Sequence, residues 1–139
     1  VLEHVKNLDK AVLEIKRILK SQGYLYVEIP FIQHYHINDS HGVKFEDCRR
    51  FTKSGLSDLF LDFCDPIDIG ICVGPTSTAL QIIFTYLEDL SLNRFYRKII
   101  KALYYFFGNI LCRIDAVLPK NIVNRSRIPS GIYYFGKKI

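Results

Sequence analysis

The sequence predicts an α/β fold with a mostly parallel sheet, and three observations point there. Stretches of helical and strand periodicity alternate along the first half. The strand-like stretches end on Pro or Gly. The 139 residues are 49% apolar, enough for roughly one domain with a real core.

The elements follow in order. Asn7 can cap a helix, with Asp9 in its first turn. Ala11, Val12, Ile15, Ile18 and Leu19 recur at helical spacing, Lys16, Arg17 and Lys20 load the last turns, and Gly23 suits a left-handed cap. This predicts a helix over about 8–20. Tyr24–Ile29 is aromatic and β-branched and predicts a strand closed by Pro30. Residues 31–50 lack periodicity, hold three of the four histidines and read as a loop at that strand's C-terminal end. Thr52 can cap a second helix with Leu56, Leu59, Phe60 and Phe63 on one face. Ile67–Val73 reads as a second strand ended by Gly74-Pro75. Two strongly apolar helices follow, joined near Ser91. A polar stretch succeeds Pro119, and Ile132-Tyr133-Tyr134-Phe135 opens a final strand.

Charge is uneven. Residues 1–93 carry nine Lys/Arg against thirteen Asp/Glu, a balance of −4. Residues 94–139 carry ten against one, Asp115, a balance of +9. The last third therefore suits an anionic partner. The uncharged run 102–112 has eleven residues, short of the roughly 20 that span a bilayer. Residues 69–87 are also uncharged, but Pro75, Thr76, Ser77 and Thr78 interrupt them. A basic helix with aromatic partners can lie in a membrane interface, and peripheral membrane contact is expected through 94–113; packing as a lid accounts for the same pattern. No nucleic-acid module is present, so no specific nucleic-acid partner is expected. The four cysteines make no C-x-x-C or metal-knuckle spacing. They read as buried or half-buried thiols in a reducing, cytoplasmic setting.

Four stretches together resemble a known family: Leu2-Glu3-His4-Val5, Glu14 to Gly23, Tyr24 to Pro30, and Arg50-Phe51-Thr52. In this order and spacing, with the closing GIYYFGKK, they look like the C-terminal half of a class I S-adenosylmethionine-dependent methyltransferase of type 11. Gln22 stands where that family's Gly pair has its first Gly. The resemblance implies a Rossmann-like sheet of parallel strands with a final antiparallel strand: 1–75 the C-terminal half of the core, 76–129 a helical cap insertion, and 130–139 the last strand. The strands near 67–73 and 132–138 should lie antiparallel.

The resemblance also implies S-adenosylmethionine as cofactor and methyl transfer to a small-molecule or lipid-linked acceptor. By the same likeness, Leu2 and Glu3 adjoin the cofactor and His4 is the catalytic candidate, its imidazole suited to proton removal near neutrality. A structural role, capping and orienting the turn, accounts for Glu3 and His4 equally simply. Tyr35, His36, His41 and Arg50 lie where the acceptor is expected. Arg50 can clamp a carboxylate or phosphate, or pair internally with Glu46, Asp47 or Asp58. Metal-binding relatives read E-x-x-E-H, of which Glu3-His4 match the last two positions; the loop histidines read more simply as solvated, and no metal is assigned. The family's Gly-rich cofactor loop is not in these residues, which contain no G-x-G and no Met. The expectation is an N-terminally incomplete enzyme, inactive as this fragment. The rival reading is a non-catalytic remnant or binding module that uses the basic amphipathic helices at a membrane surface or protein partner.

Overall fold

The computed structural model describes residues 1–35 and 46–139. A 3-10 turn at Leu2–His4 leads into α1 (Leu8–Ile18), β1 (Tyr24–Pro30), α2 (Lys53–Asp58), β2 (Cys64–Val73), α3 (Pro75–Asp89), α4 (Arg94–Val117), α5 (Lys120–Val123) and β3 (Gly131–Lys138). The chain divides into two compact units. One comprises Val1–Phe31, Tyr35–Cys72 and Gly131–Ile139, the other Ile32–His34 and Val73–Ser130.

The first unit is a mixed helix and sheet structure. Its three strands are ordered β1-β3-β2 and are antiparallel. The parallel pairing expected from the sequence is not seen among the described residues. The reason is topological: β3 lies between β1 and β2, which run in the same direction without touching. Register is set by pairs such as Val27 with Tyr134 and Ile29 with Ile132. Pro30 still faces Gly131 as the last residue of β1, where its missing N–H is tolerated at an edge.

Side chains alternate across the sheet. Ile29, Ile132 and Tyr134 point inward, and α2 with the turns after it covers them through Leu56, Phe60 and Phe63, all buried. The Tyr134 ring lies 5.0 Å from that of Phe60, and its hydroxyl donates to the Cys64 carbonyl at 3.3 Å. Burial pushes the Tyr134 hydroxyl up to about 12. That contact draws β2 in from Cys64, three residues before the expected start. The opposite face carries an aromatic ladder: Tyr24 stacks on Phe135 at 5.6 Å, and Tyr26 meets Tyr133 at 5.8 Å. Asp68 accepts from the Tyr133 hydroxyl at 2.6 Å, which holds that phenol near 12.

Caps behave largely as their chemistry dictates. Asn7 accepts from the Lys10 N–H and Thr52 from the Gly55 N–H. Ile18, expected on the packed face of α1, is exposed because the helix ends there and Leu19 is extended. The left-handed residue of the following turn is Gln22 (φ 60°), not Gly23. Gly23 answers a different need: a Cβ there would stand 2.7 Å from the Lys20 carbonyl oxygen.

The second unit is built on α3 and α4. Leu80, Phe84 and Ile100 form its core, flanked by Leu87, Tyr96, Tyr104 and Leu111. Asn93 caps α4, accepting from the Phe95 and Tyr96 N–H groups. α3 begins at Gly74-Pro75 and has no cap of its own. Asp115, on α4, supplies it. Its carboxylate accepts from the N–H groups of Thr76 and Ser77 at 2.9 and 2.8 Å and from the Ser77 hydroxyl at 2.6 Å. A Cβ at position 74 would come within 2.5 Å of the Asp115 Cγ, so glycine there admits the cap. Burial pushes the Asp115 carboxyl up, but the Ser77 and Thr76 hydrogen bonds outweigh it and hold the group below its ordinary value. The polar stretch after Pro119 contains the short helix α5, which its sequence did not signal. Cys64 is the buried cysteine; Cys48, Cys72 and Cys112 are exposed, against the expectation of buried or half-buried thiols.

Two predictions follow from these turns and caps. Gln22→Gly relieves a left-handed side chain and should raise stability by about 0.5–1 kcal/mol in urea unfolding, whereas Gly23→Ala should lower it by roughly 1–3 kcal/mol. Asp115→Ala should cost about 1–2 kcal/mol. Because the folded carboxyl titrates below its ordinary value, its contribution is present above pH ~4 and is lost as pH falls through the folded value. Asp115→Asn should flatten that part of the acid limb; an unchanged limb in urea midpoints measured from pH ~5 downward would contradict the assignment.

Candidate functional site

The turn Leu2–His4 is held from both sides. Within it the His4 N–H donates to the Val1 carbonyl at 3.1 Å. Across forty-odd residues the Cys48 N–H donates to the Glu3 carbonyl at 2.7 Å. This second bond lays the segment Glu46–Arg50 along the turn. Leu2 and Glu3 are buried and His4 is half-buried.

His4 thereby sits between carboxylates. Its Nδ1 lies 3.2 Å from Asp47 Oδ1 and 3.1 Å from the Glu46 carbonyl oxygen; its Nε2 lies 3.4 Å from Glu3 Oε1. A neutral ring carries one N–H and can donate on one side only, while the imidazolium donates on both. The arrangement orients the ring tightly. For His4 to accept a proton from a third molecule, the longer Glu3 contact is the one that must open.

Asp47 is the organising residue. Its side chain is 2% exposed and meets Arg50 through Oδ2 at 2.6 Å, in addition to His4. Arg50, 26% exposed, also donates to the Arg49 carbonyl at 3.1 Å. Of the roles open to Arg50, the geometry supplies the internal pair with Asp47. Glu3 receives the Val1 ammonium at 2.7 Å.

Beside this cluster lies an open depression of about 590 Å³ lined by Lys6, Asn7, Leu8, Asp9 and Arg49. Arg49 donates to the Lys6 carbonyl at 3.0 Å, fixing its guanidinium at the rim. Lys6 and Arg49 against the single carboxylate of Asp9 make the rim suited to a small anionic group. Sequence offers Asp47 only as one of three partners for Arg50, and it does not mark Lys6 or Arg49 as site residues. The D-x-x-R spacing of Asp47 and Arg50 was a usable signal; the meeting of Lys6 with Arg49 had none.

The other expected site residues lie elsewhere. Tyr35 is 65% exposed. His36 and His41 fall outside the described residues. His34 belongs to the second unit, where its Nδ1 lies 3.1 Å from Gln81 Nε2 and Gln81 Oε1 accepts from the Ser130 hydroxyl. Among the described residues no group of three or more His, Cys, Asp and Glu side chains could hold a metal ion.

Arg50→Met strands the Asp47 carboxylate in a buried place. It should cost roughly 2–4 kcal/mol by urea unfolding, near the range for breaking a buried pair. A loss below about 0.5 kcal/mol would show that the pair behaves as a solvent-screened one. Comparison of the chain with family models, with curated proteins and with solved structures finds no match.

Proposed function

We propose that this chain supplies the acceptor side of a class I S-adenosylmethionine-dependent methyltransferase acting on a small-molecule or lipid-linked acceptor. One observation carries the reading. The two stretches that resemble the family most closely, Leu2-Glu3-His4-Val5 and Arg50-Phe51-Thr52, are far apart in sequence and are joined in space. The Cys48-to-Glu3 backbone bond and the Asp47 contacts to His4 and Arg50 make that junction. The antiparallel course of β3 beside β2 is the arrangement the resemblance implies for the last two strands. β1 is an edge strand with an exposed aromatic face, as suits a strand that pairs further along its open edge.

S-adenosylmethionine supplies an electrophilic sulfonium methyl when bound. The residues present do not by themselves make a cradle for it: Leu2 and Glu3 are buried, and no G-x-G occurs in the chain. On this reading another segment provides the cradle. The chain's own contribution is alignment. Asp47 holds the His4 ring through Nδ1, and once the longer Glu3 contact opens, Nε2 of the held imidazole can take an acceptor proton as the nucleophile attacks. Lys6 and Arg49 can fix an anionic part of the acceptor.

Calorimetric titration of these 139 residues with S-adenosylmethionine should give weak binding or none; micromolar binding would contradict the account of the incomplete cradle. The decisive experiment reads the coding sequence upstream of Val1 and assays methyl transfer by the product. A strand ending in a G-x-G-type turn, with His4→Ala lowering turnover more than cofactor affinity, is the expected result. A start codon directly before Val1 would sink the enzyme reading and leave the binding module.

A further inference from the structure

We infer that the α3–α4 hairpin seats on an anionic lipid surface, with α4 lying in the plane of the interface. The inference stands on the second unit alone and does not depend on the methyltransferase reading.

α4 has three faces. One packs on α3 through Tyr96, Ile100, Tyr104 and Leu111. A second carries Phe95, Ile99, Leu103, Phe106, Ile110 and Val117, spaced by three, four or seven residues and therefore on one stripe. All six are exposed, Phe95 at 73% and Phe106 at 62%. The stripe continues into the turn between the helices, where Leu92 is 92% exposed. The third face carries Arg94, Lys98 and Lys101. From Leu90 to Ile114 there are five Lys/Arg and no acid.

An apolar stripe of this length is uncommon on a surface with nothing to cover it. Charge identifies the occupant. The cations beside the stripe, with no acid on α4 before Asp115, favour a negatively charged partner over a second copy of this chain, which carries the same positive surplus. Glu88 approaches Arg97 and Lys101 only at 3.9 Å. An anionic bilayer answers both faces at once: acyl chains take the stripe and the Leu92 tip, while headgroup phosphates take the cations beside them. The helix does not need to cross, and among the described residues no helix is long and apolar enough to do so.

The test is flotation of the 139-residue chain with vesicles of equimolar phosphatidylcholine and phosphatidylserine at low salt, and with phosphatidylcholine alone. The chain should float with the anionic vesicles and much less with the neutral ones. Phe95→Asp combined with Phe106→Asp alters exposed positions only, so circular dichroism should be unchanged while flotation is lost. Arg94→Gln with Lys98→Gln should weaken anionic binding by roughly 30-fold. The proposal is overturned by absence of flotation at low salt or by equal binding to neutral vesicles. Retained binding in the folded Phe95/Phe106 variant overturns it too, as does a stable dimer in sedimentation that this variant dissolves.

Discussion

The first unit depends on where its last strand goes. β3 comes from the C-terminal end of the sequence and lies between two strands that end at Pro30 and Val73, well before it begins at Gly131. β1 and β2 share no hydrogen bond of their own, so β3 alone joins them, and without it the inward residues of the sheet lose their centre. Tyr134 shows why the position is demanding. It is fully buried, packs on Phe60 and gives its hydroxyl to Cys64. A buried phenol without a partner would be costly, so the hydroxyl fixes the depth at which β2 starts. Lys138 extends the same control to α1, donating to the Lys16 and Leu19 carbonyls at the open end of the helix.

Two aspartates do at short range what β3 does at long range. Asp47 gathers His4 and Arg50, and Asp115 closes the start of α3. Each is a small carboxylate with little conformational entropy to lose, facing donors that would otherwise be unsatisfied. The single acid of the basic last third is thus accounted for inside its own unit. The positive surplus of α4 is left outward.

These placements divide the chain's chemistry. The polar cluster of His4, Glu3 and Asp47 belongs to the sheet unit, where Asp47 contacts both His4 and Arg50. The helical unit offers contact area, with a basic face beside an apolar one. An acceptor held at or in a membrane would give both a use in one protein, but each rests on its own observations.

The sequence alone determined most of the local structure. Helical periodicity located α1, α3 and α4. Asn7 and Thr52 marked the starts of α1 and α2, and aromatic, β-branched runs located the strands. These follow from interactions within a few residues, which pattern exposes. Resemblance of short stretches also directed attention to Glu3 and His4, though not to the carboxylate that orients the ring. Only the tertiary structure decided that β3 would separate β1 from β2, that Gln22 rather than Gly23 would take the left-handed turn, that Asp47 would bridge His4 and Arg50, and that Asp115 would cap α3. Most of these join residues tens of positions apart. Such pairings are chosen by the competition to bury apolar faces and satisfy buried polar groups, and that competition leaves no periodic trace in the chain.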